Sequence, residues 1–322
     1  MFSKVKELID DSNNIYIVGH VGPDGDAIGS SFALCLALRN MGKNAKVIMP
    51  KYSDHFSFLP GIEQAVESVS DEEYDLLIAV DSSNKNRLAI TEEDYNKAKK
   101  VAVIDHHVVT EEIYGDARCV DPSMPATCQI MYDFLTFMNV KMTKEIATYL
   151  YTGIVTDSGT FSYSSTKPST LKIASSLIET GIDFSDICRK LNHTMKEAKL
   201  KLIGIAINNM EVYYDGKLRY TYIDYKTIES LGLTDEDSEG MTNYLLMPEG
   251  TEVAAYVRQK SDRSNKVSLR SREKIDVSKI AISFNGGGHA RAAGYTMEDD
   301  LDIGKNKVID VVGVMLGDDS TN

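Results

Sequence analysis

Four short apolar runs, residues 15–19, 45–49, 76–80 and 101–104, alternate with helix-like stretches through the first half of the chain, and this alternation leaves few folds open. Such runs read as strands buried on both faces, and strands separated by helical segments pair in parallel. The stretch 26–39 repeats Ala27, Phe32, Leu34 and Leu38 at helical spacing, with Gly42 as its stop. Further helices are predicted over 126–138, 144–151, 169–180, 184–191 and 196–210. Beyond 210 the pattern turns strand-like at 211–214, 217–223, 252–258 and 266–272, followed by a short helix, a glycine run, a strand over 290–297 and an amphipathic helix over 303–316. The expected class is α/β: an amino-terminal parallel-sheet domain over 1–187, a linker helix over 188–210 and a smaller mixed α+β domain over 211–322. A chain of 322 residues also exceeds what one core usually organises.

Lys and Arg number 35 against 48 Asp and Glu, a net charge of −13, which works against gripping a long nucleic acid through its phosphates. No stripe of aromatic and basic residues tracks a long single strand either. Residues 1–14 lack an apolar segment followed by small residues, and no later stretch is long and apolar enough to cross a bilayer, which predicts a soluble cytoplasmic protein. Cys35, Cys119, Cys128 and Cys188 are scattered without a Cys-x-x-Cys pair, as reduced thiols are, and suggest neither a disulfide framework nor a zinc knuckle.

Ligands of open parallel sheets bind beyond the carboxyl ends of the strands, so the residues after each run carry the functional signal. There stand His20-Val21-Gly22-Pro23-Asp24-Gly25-Asp26, then Asp81, then Asp105-His106-His107. Asp157 follows the apolar stretch 149–155 and reads as a fourth strand-tip acid. Each has an ordinary explanation alone: Pro23 to Asp26 makes a turn in which Asp26 caps the next helix, and Asp81 can close a turn with Ser82 and Ser83. Together, so many uncompensated carboxylates at one rim would repel, and a cation is the simplest compensation. Carboxylates with imidazole and no thiolate suit Mn²⁺, or Mg²⁺, better than structural zinc. Six candidate ligands, His20, Asp24, Asp26, Asp81, His106 and Asp157, exceed one ion's need, so two divalent ions sharing Asp81 are expected.

In order and spacing, these motifs resemble the four of the DHH phosphoesterase superfamily. Asn285-Gly286-Gly287-Gly288-His289, with Ser268-Leu269-Arg270-Ser271-Arg272 ahead of it, resembles the signature of the DHH-associated domain. The resemblance spans nearly the whole chain and is closest to the bifunctional oligoribonuclease and pAp phosphatase (nanoRNase) group and the cyclic-dinucleotide phosphodiesterases beside it. It implies that His20, Asp24 and Asp81 hold one ion and Asp26, Asp81, His106 and Asp157 the other. It further implies that His107 contacts the scissile phosphate and that Asp105 orients the cluster. The implied activity is hydrolysis by a hydroxide shared between the ions, with no protein nucleophile.

Arg270, Ser271, Arg272, Gly286, Gly287, Gly288 and His289 are the expected substrate-binding residues, the glycines letting backbone amides approach a phosphate. Expected substrates are short RNA oligonucleotides, pAp, pApA or cyclic di-AMP, with no membrane partner and a homodimer as an allowed assembly. Two other readings share features of this chain: a manganese inorganic pyrophosphatase, which pairs the metal motifs with a different second domain, and a nucleotide-binding regulatory protein that kept the fold without the chemistry.

Overall fold

In the computed structural model, which describes residues 2–108, 113–234, 237–238, 240–261, 264–298 and 301–318, the chain divides into two compact units, Met1–Thr194 and Met195–Asn322. The first runs α1 (Phe2–Asp10), β1 (Asn14–Val18), α2 (Gly25–Asn40), β2 (Asn44–Ile48), β3 (Tyr74–Val80), α3 (Glu92–Asn96), β4 (Ala98–Asp105), β5 (Ala117–Val120), α4 (Thr127–Phe137), α5 (Lys144–Asp157), α6 (Pro168–Glu179) and α7 (Phe184–Asn192). Its five strands pair in parallel in the order β2-β1-β3-β4-β5.

The apolar runs fill two cores because consecutive strand residues point to opposite faces. Ile15, Ile17, Leu76, Ile78, Val80, Ala102 and Ile104 join one cluster with α2, α4 and α5. Tyr16, Val18, Leu77, Ala79, Val101 and Val103 join the cluster on the other face. The five-residue β2 and four-residue β5 form the edges, so β1, β3 and β4 are the central strands.

Two expectations change here. Helix α5 continues to Asp157; residues 149–155 are buried on every side and so show no stripe by which a helix is recognised in sequence. Asp157 therefore arrives from a helix end and not from a strand tip. The cap of α2 is Asp24, whose Oδ1 accepts the amides of Asp26 and Ala27, while Asp26 lies inside the first turn with its carboxylate free for other partners. Helix α1 and strand β5 are additions to the expected elements: Phe2, Val5, Leu8 and Ile9 do recur at helical spacing in α1, whereas β5 is only four residues long.

Helices α2 and α5 approach closely at two glycines. A Cβ on Gly29 would lie 2.5 Å from the Tyr149 carbonyl oxygen, and one on Gly153 would lie 2.3 Å from Cys128 Sγ and 2.8 Å from Asp26 Oδ1. The buried Cys128 thiol fills the space that these glycines leave.

The second unit runs α8 (Glu197–Asn208), β6 (Glu211–Tyr213), β7 (Leu218–Ile223), α9 (Tyr225–Ser230), α10 (Met241–Leu246), β8 (Val253–Ser261), β9 (Ser264–Ser271), α11 (Val277–Ser283), β10 (Gly287–His289), β11 (Ala292–Met297) and α12 (Leu301–Asp318). Its mixed sheet has the order β10-β11-β9-β8-β7-β6, with β7 and β8 parallel and the other pairs antiparallel. Val253, Ala255 and Val257 of β8 face α11 and α12, whereas Ala254 and Tyr256 face α8, α9 and α10. Part of the glycine run is itself a strand: β10 pairs Gly287 with Gly294 and Gly288 with Ala293. Gly288, at φ +138°, has no room for a Cβ, which would meet the Ala292 carbonyl oxygen at 2.5 Å.

Candidate metal centre

Three central strands deliver acid and imidazole to one rim: His20 just past β1, Asp81 directly after β3, and Asp105-His106-His107 at the end of β4. Asp81 turns its backbone to φ +57°, a conformation that Asp tolerates better than most residues, and its amide still donates to the Ile104 carbonyl at 3.0 Å. Asp24 and Asp26 enter from the start of α2, and Asp157 from the end of α5. The six expected metal ligands and His107 fall into three overlapping groups whose donor atoms lie within 4.8 Å of one another: His20, Asp24 and Asp81; Asp81, His106 and His107; and Asp26, His106 and Asp157.

The histidines are oriented by their Nδ1 atoms. His20 Nδ1 lies 3.0 Å from the Val21 carbonyl and His106 Nδ1 lies 3.1 Å from the Met124 carbonyl, so in each neutral ring Nδ1 keeps the proton and Nε2 is left bare. His20 Nε2 faces Asp81 Oδ2 at 3.6 Å and Asp24 Oδ2 at 3.8 Å. His106 Nε2 faces Asp157 Oδ2 at 3.1 Å, Asp81 Oδ1 at 3.6 Å and Asp26 Oδ2 at 3.9 Å, yet makes no hydrogen bond although it is buried. An orphaned imidazole nitrogen aimed into several carboxylates is what a divalent cation completes, so these residues fit a metal. His107 is turned the other way: its Nδ1 sits 2.8 Å from Asp105 Oδ1, and its ring is partly exposed.

The charges of the metal-free cluster are strained in the same sense. Burial, then the neighbouring carboxylates Asp81 and Asp157, push Asp26 well above the usual carboxylate range. Burial, with Asp24 adding to it, also holds Asp81 above that range. Burial pulls His20 downward, but Asp24 and Asp81 outweigh it and raise the imidazole to about 10. Burial likewise works against His106, and Asp157, Asp26 and Asp81 carry it up to about 10. Asp105 lies below the usual range, because hydrogen bonds from His107 and Ser83 overcome the effect of burial.

This charge state has a measurable consequence. With values raised to about 10 in the metal-free state, both imidazoles are expected to hold a second proton at pH 7.5, which each must lose from Nε2 to bind a metal. Titration with Mn²⁺ in calorimetry buffers of different ionisation enthalpy is therefore expected to show release of roughly two protons per fully loaded chain. Apparent affinity should rise with pH between 6 and 9, by about tenfold per pH unit for each proton released. Affinity that stays flat with pH, with no proton release, would refute Nε2 ligation by these histidines.

In the second unit, Arg270, Gly287 and Gly288 line a cavity of about 320 Å³ on the sheet face that carries Tyr256, together with Arg258 and Lys266. The structure does not bring the other expected substrate residues there. Ser271 Oγ donates to the Ile275 carbonyl at 2.6 Å, and Arg272 is held by the carbonyls of Thr251 and Leu246, so both serve the local fold. Gly286 lines a separate groove with Phe284 and Tyr295, and His289 is exposed on β10. Arg258 and Lys266 line the Arg270 cavity without being among the residues expected from the sequence, and Arg258 is buried and donates to Ser238 Oγ at 2.9 Å. Their signal was the alternation of β8 and β9, which puts Tyr256 with Arg258, and Lys266 with Ser268 and Arg270, on one face.

The parallel sheet with its acidic and imidazole rim defines a class that family comparison bears out. A profile for the DHH family, N-terminal domain, matches residues 14–154, and a DHHA1 domain profile matches residues 215–313. The chain belongs to the DHH family of phosphoesterases, hydrolases of phosphoester bonds. It is 34% identical to the bifunctional oligoribonuclease and PAP phosphatase NrnA of Thermus thermophilus, over 92% of this chain and 89% of that one. It is 25% identical to the cyclic-di-AMP phosphodiesterase PdeA of Listeria monocytogenes, over 92% of this chain but 46% of that one. Among solved structures, an exopolyphosphatase-related protein from Bacteroides fragilis matches with a TM-score of 0.87 and 28% identity, over 95% of this chain and 94% of that one. No helix among the described residues is long and apolar enough to cross a membrane.

Proposed function

We propose that the chain is a cytoplasmic phosphoesterase that hydrolyses short oligoribonucleotides, dinucleotides and pAp with two divalent ions, Mn²⁺ before Mg²⁺. The observation that carries this reading is the convergence of His20, Asp24, Asp26, Asp81, His106 and Asp157 in overlapping groups that share Asp81. In this reading His20, Asp24 and Asp81 hold one ion, and Asp26, Asp81, His106 and Asp157 the other. The ions would supply charge neutralisation and an activated water.

Asp105 orients the neighbouring imidazole: accepting from His107 Nδ1, it turns Nε2 away from the buried carboxylates. That hydrogen bond, against the effect of burial, raises His107 above the ordinary histidine value. A larger share of the ring is then protonated at neutral pH, which suits donation to a phosphate oxygen or to the leaving oxygen. In the second domain, which we place over 211–322 beyond a linker at 188–210, Arg270 and the amides around Gly287 and Gly288 would bind a phosphate of the substrate.

The test is a Mn²⁺-dependent hydrolysis panel of pApA and longer RNA oligomers, pAp, cyclic di-AMP, pyrophosphate and a long single strand. Turnover of the short RNAs and pAp, well ahead of the long strand, is the expected result. Turnover of pyrophosphate alone would reassign the substrate. Failure on every phosphoester would sink the reading and favour a regulatory nucleotide binder.

A further inference from the structure

The first turn of α4 touches both Asp26 and Asp81, the two most deeply buried carboxylates among the six expected ligands. Asp26 Oδ2 accepts the Thr127 amide at 2.6 Å and Oδ1 accepts the Cys128 amide at 2.8 Å. Ala126, the residue at the N-cap of α4, makes no side-chain capping bond, so the helix is capped by an aspartate 101 residues earlier in the chain. The Thr127 hydroxyl donates to Asp81 Oδ1 at 2.9 Å, while Asp81 Oδ2 faces His20. Thr127 and Asp26 are 0% exposed and Asp81 is 2% exposed, so no water competes for these bonds. The turn is braced from behind, where Thr170 of α6 donates to Gln129 Oε1 at 2.7 Å.

One residue thus touches both carboxylates, through its amide and its hydroxyl. We propose that Thr127 is a positioning residue that fixes Asp81 relative to Asp26 and thereby sets the geometry of the two ion sites; this rests on the two-ion reading above. The amide bond to Asp26 would survive any substitution except proline, because it needs only the backbone N–H. The bond to Asp81 needs a hydroxyl, and it determines which way the plane of that carboxylate faces. Partners of this kind behind a metal ligand typically govern about 10- to 100-fold in metal affinity or activity.

The test uses the full chain carrying Thr127→Val, Thr127→Ser or Thr127→Ala, with Mn²⁺ binding followed by calorimetry and electron paramagnetic resonance, and with pApA turnover measured separately. For Thr127→Val, Mn²⁺ affinity at the weaker site is expected to fall about 10- to 100-fold, and kcat at saturating Mn²⁺ to fall about tenfold or more. KM for pApA should stay within about threefold of wild type, since no substrate contact is removed. Thr127→Ser, which restores the hydroxyl, should recover both quantities to within about threefold. If the valine protein does not fold, serine against alanine isolates the hydroxyl with little change in volume. A hydroxyl with only a structural role would alter the melting temperature and leave Mn²⁺ affinity per folded molecule unchanged; that result, with wild-type kcat in Thr127→Val, overturns the assignment. A wild-type protein that neither binds Mn²⁺ nor cleaves pApA overturns the two-ion reading itself.

Discussion

Replacing Asp81 with asparagine is expected to lower kcat by about three orders of magnitude or more, and to leave the metal-free protein at least as stable as wild type. Both effects follow from one carboxylate. Asp81 directs Oδ2 at His20 and Oδ1 at His106, and it belongs to two of the three donor groups, so losing its charge should weaken both proposed ion sites together. In the metal-free protein the same charge is a burden. Burial holds the folded-state pKa of Asp81 above its unfolded value, so ionisation costs stability once the pH rises past the unfolded value, and asparagine escapes that cost. Asparagine is a better probe than alanine because it tolerates the φ of +57° at this position, where alanine would add about 1 kcal/mol of backbone strain. Melting curves with and without Mn²⁺, beside steady-state kinetics, decide the matter. Turnover within about tenfold of wild type, with unchanged Mn²⁺ stoichiometry, would remove Asp81 from the shared position.

The second large effect concerns packing. Gly153→Ala is expected to destabilise the first unit by about 1–3 kcal/mol, which for a domain of this size lowers the melting temperature by roughly 2–12 °C. A helical Gly→Ala change ordinarily stabilises, through the entropy it removes from the unfolded chain. Here the added methyl would meet Cys128 Sγ at 2.3 Å, Asp26 Oδ1 at 2.8 Å and Asp26 Cα at 3.0 Å, so α2 and α5 must separate. Because the displaced atoms include a proposed ligand, activity should fall along with stability. Gly204→Ala in α8 is the control: nothing lies within 4 Å of its added Cβ, and it should gain about 0.4–1 kcal/mol. A Gly153→Ala protein that melts at or above wild type would show that the helices part without strain.

Much of the centre was legible in one dimension because a parallel strand carries the residues just past its carboxyl end to a predictable edge of the sheet. His20, Asp81 and Asp105-His106-His107 each come directly after an apolar run, and runs buried on both faces declare themselves by composition alone. Asp157 was legible as a residue but not as an element, since a helix buried on every side has no periodic stripe. Ser271 and Arg272 were indistinguishable in sequence from Arg270, because whether a polar side chain lines a cavity or meets a backbone carbonyl depends on which loop lies across from it. Arg272 meets the carbonyls near residue 246, and Arg270 meets the cavity.

The chain's own order of residues thus determined the parallel sheet, the rim on which acid and imidazole collect, and the mixed character of the second half, all consequences of local periodicity and of which side chains avoid water. Tertiary structure alone decided that Asp26 caps α4 from 101 residues away and that Thr127 reaches Asp81. It also decided that Gly29, Gly153 and Cys128 interlock to let α2 and α5 deliver their carboxylates to the same point. No local pattern encodes these contacts, because each depends on the distance between segments brought together only by burying both of them at once.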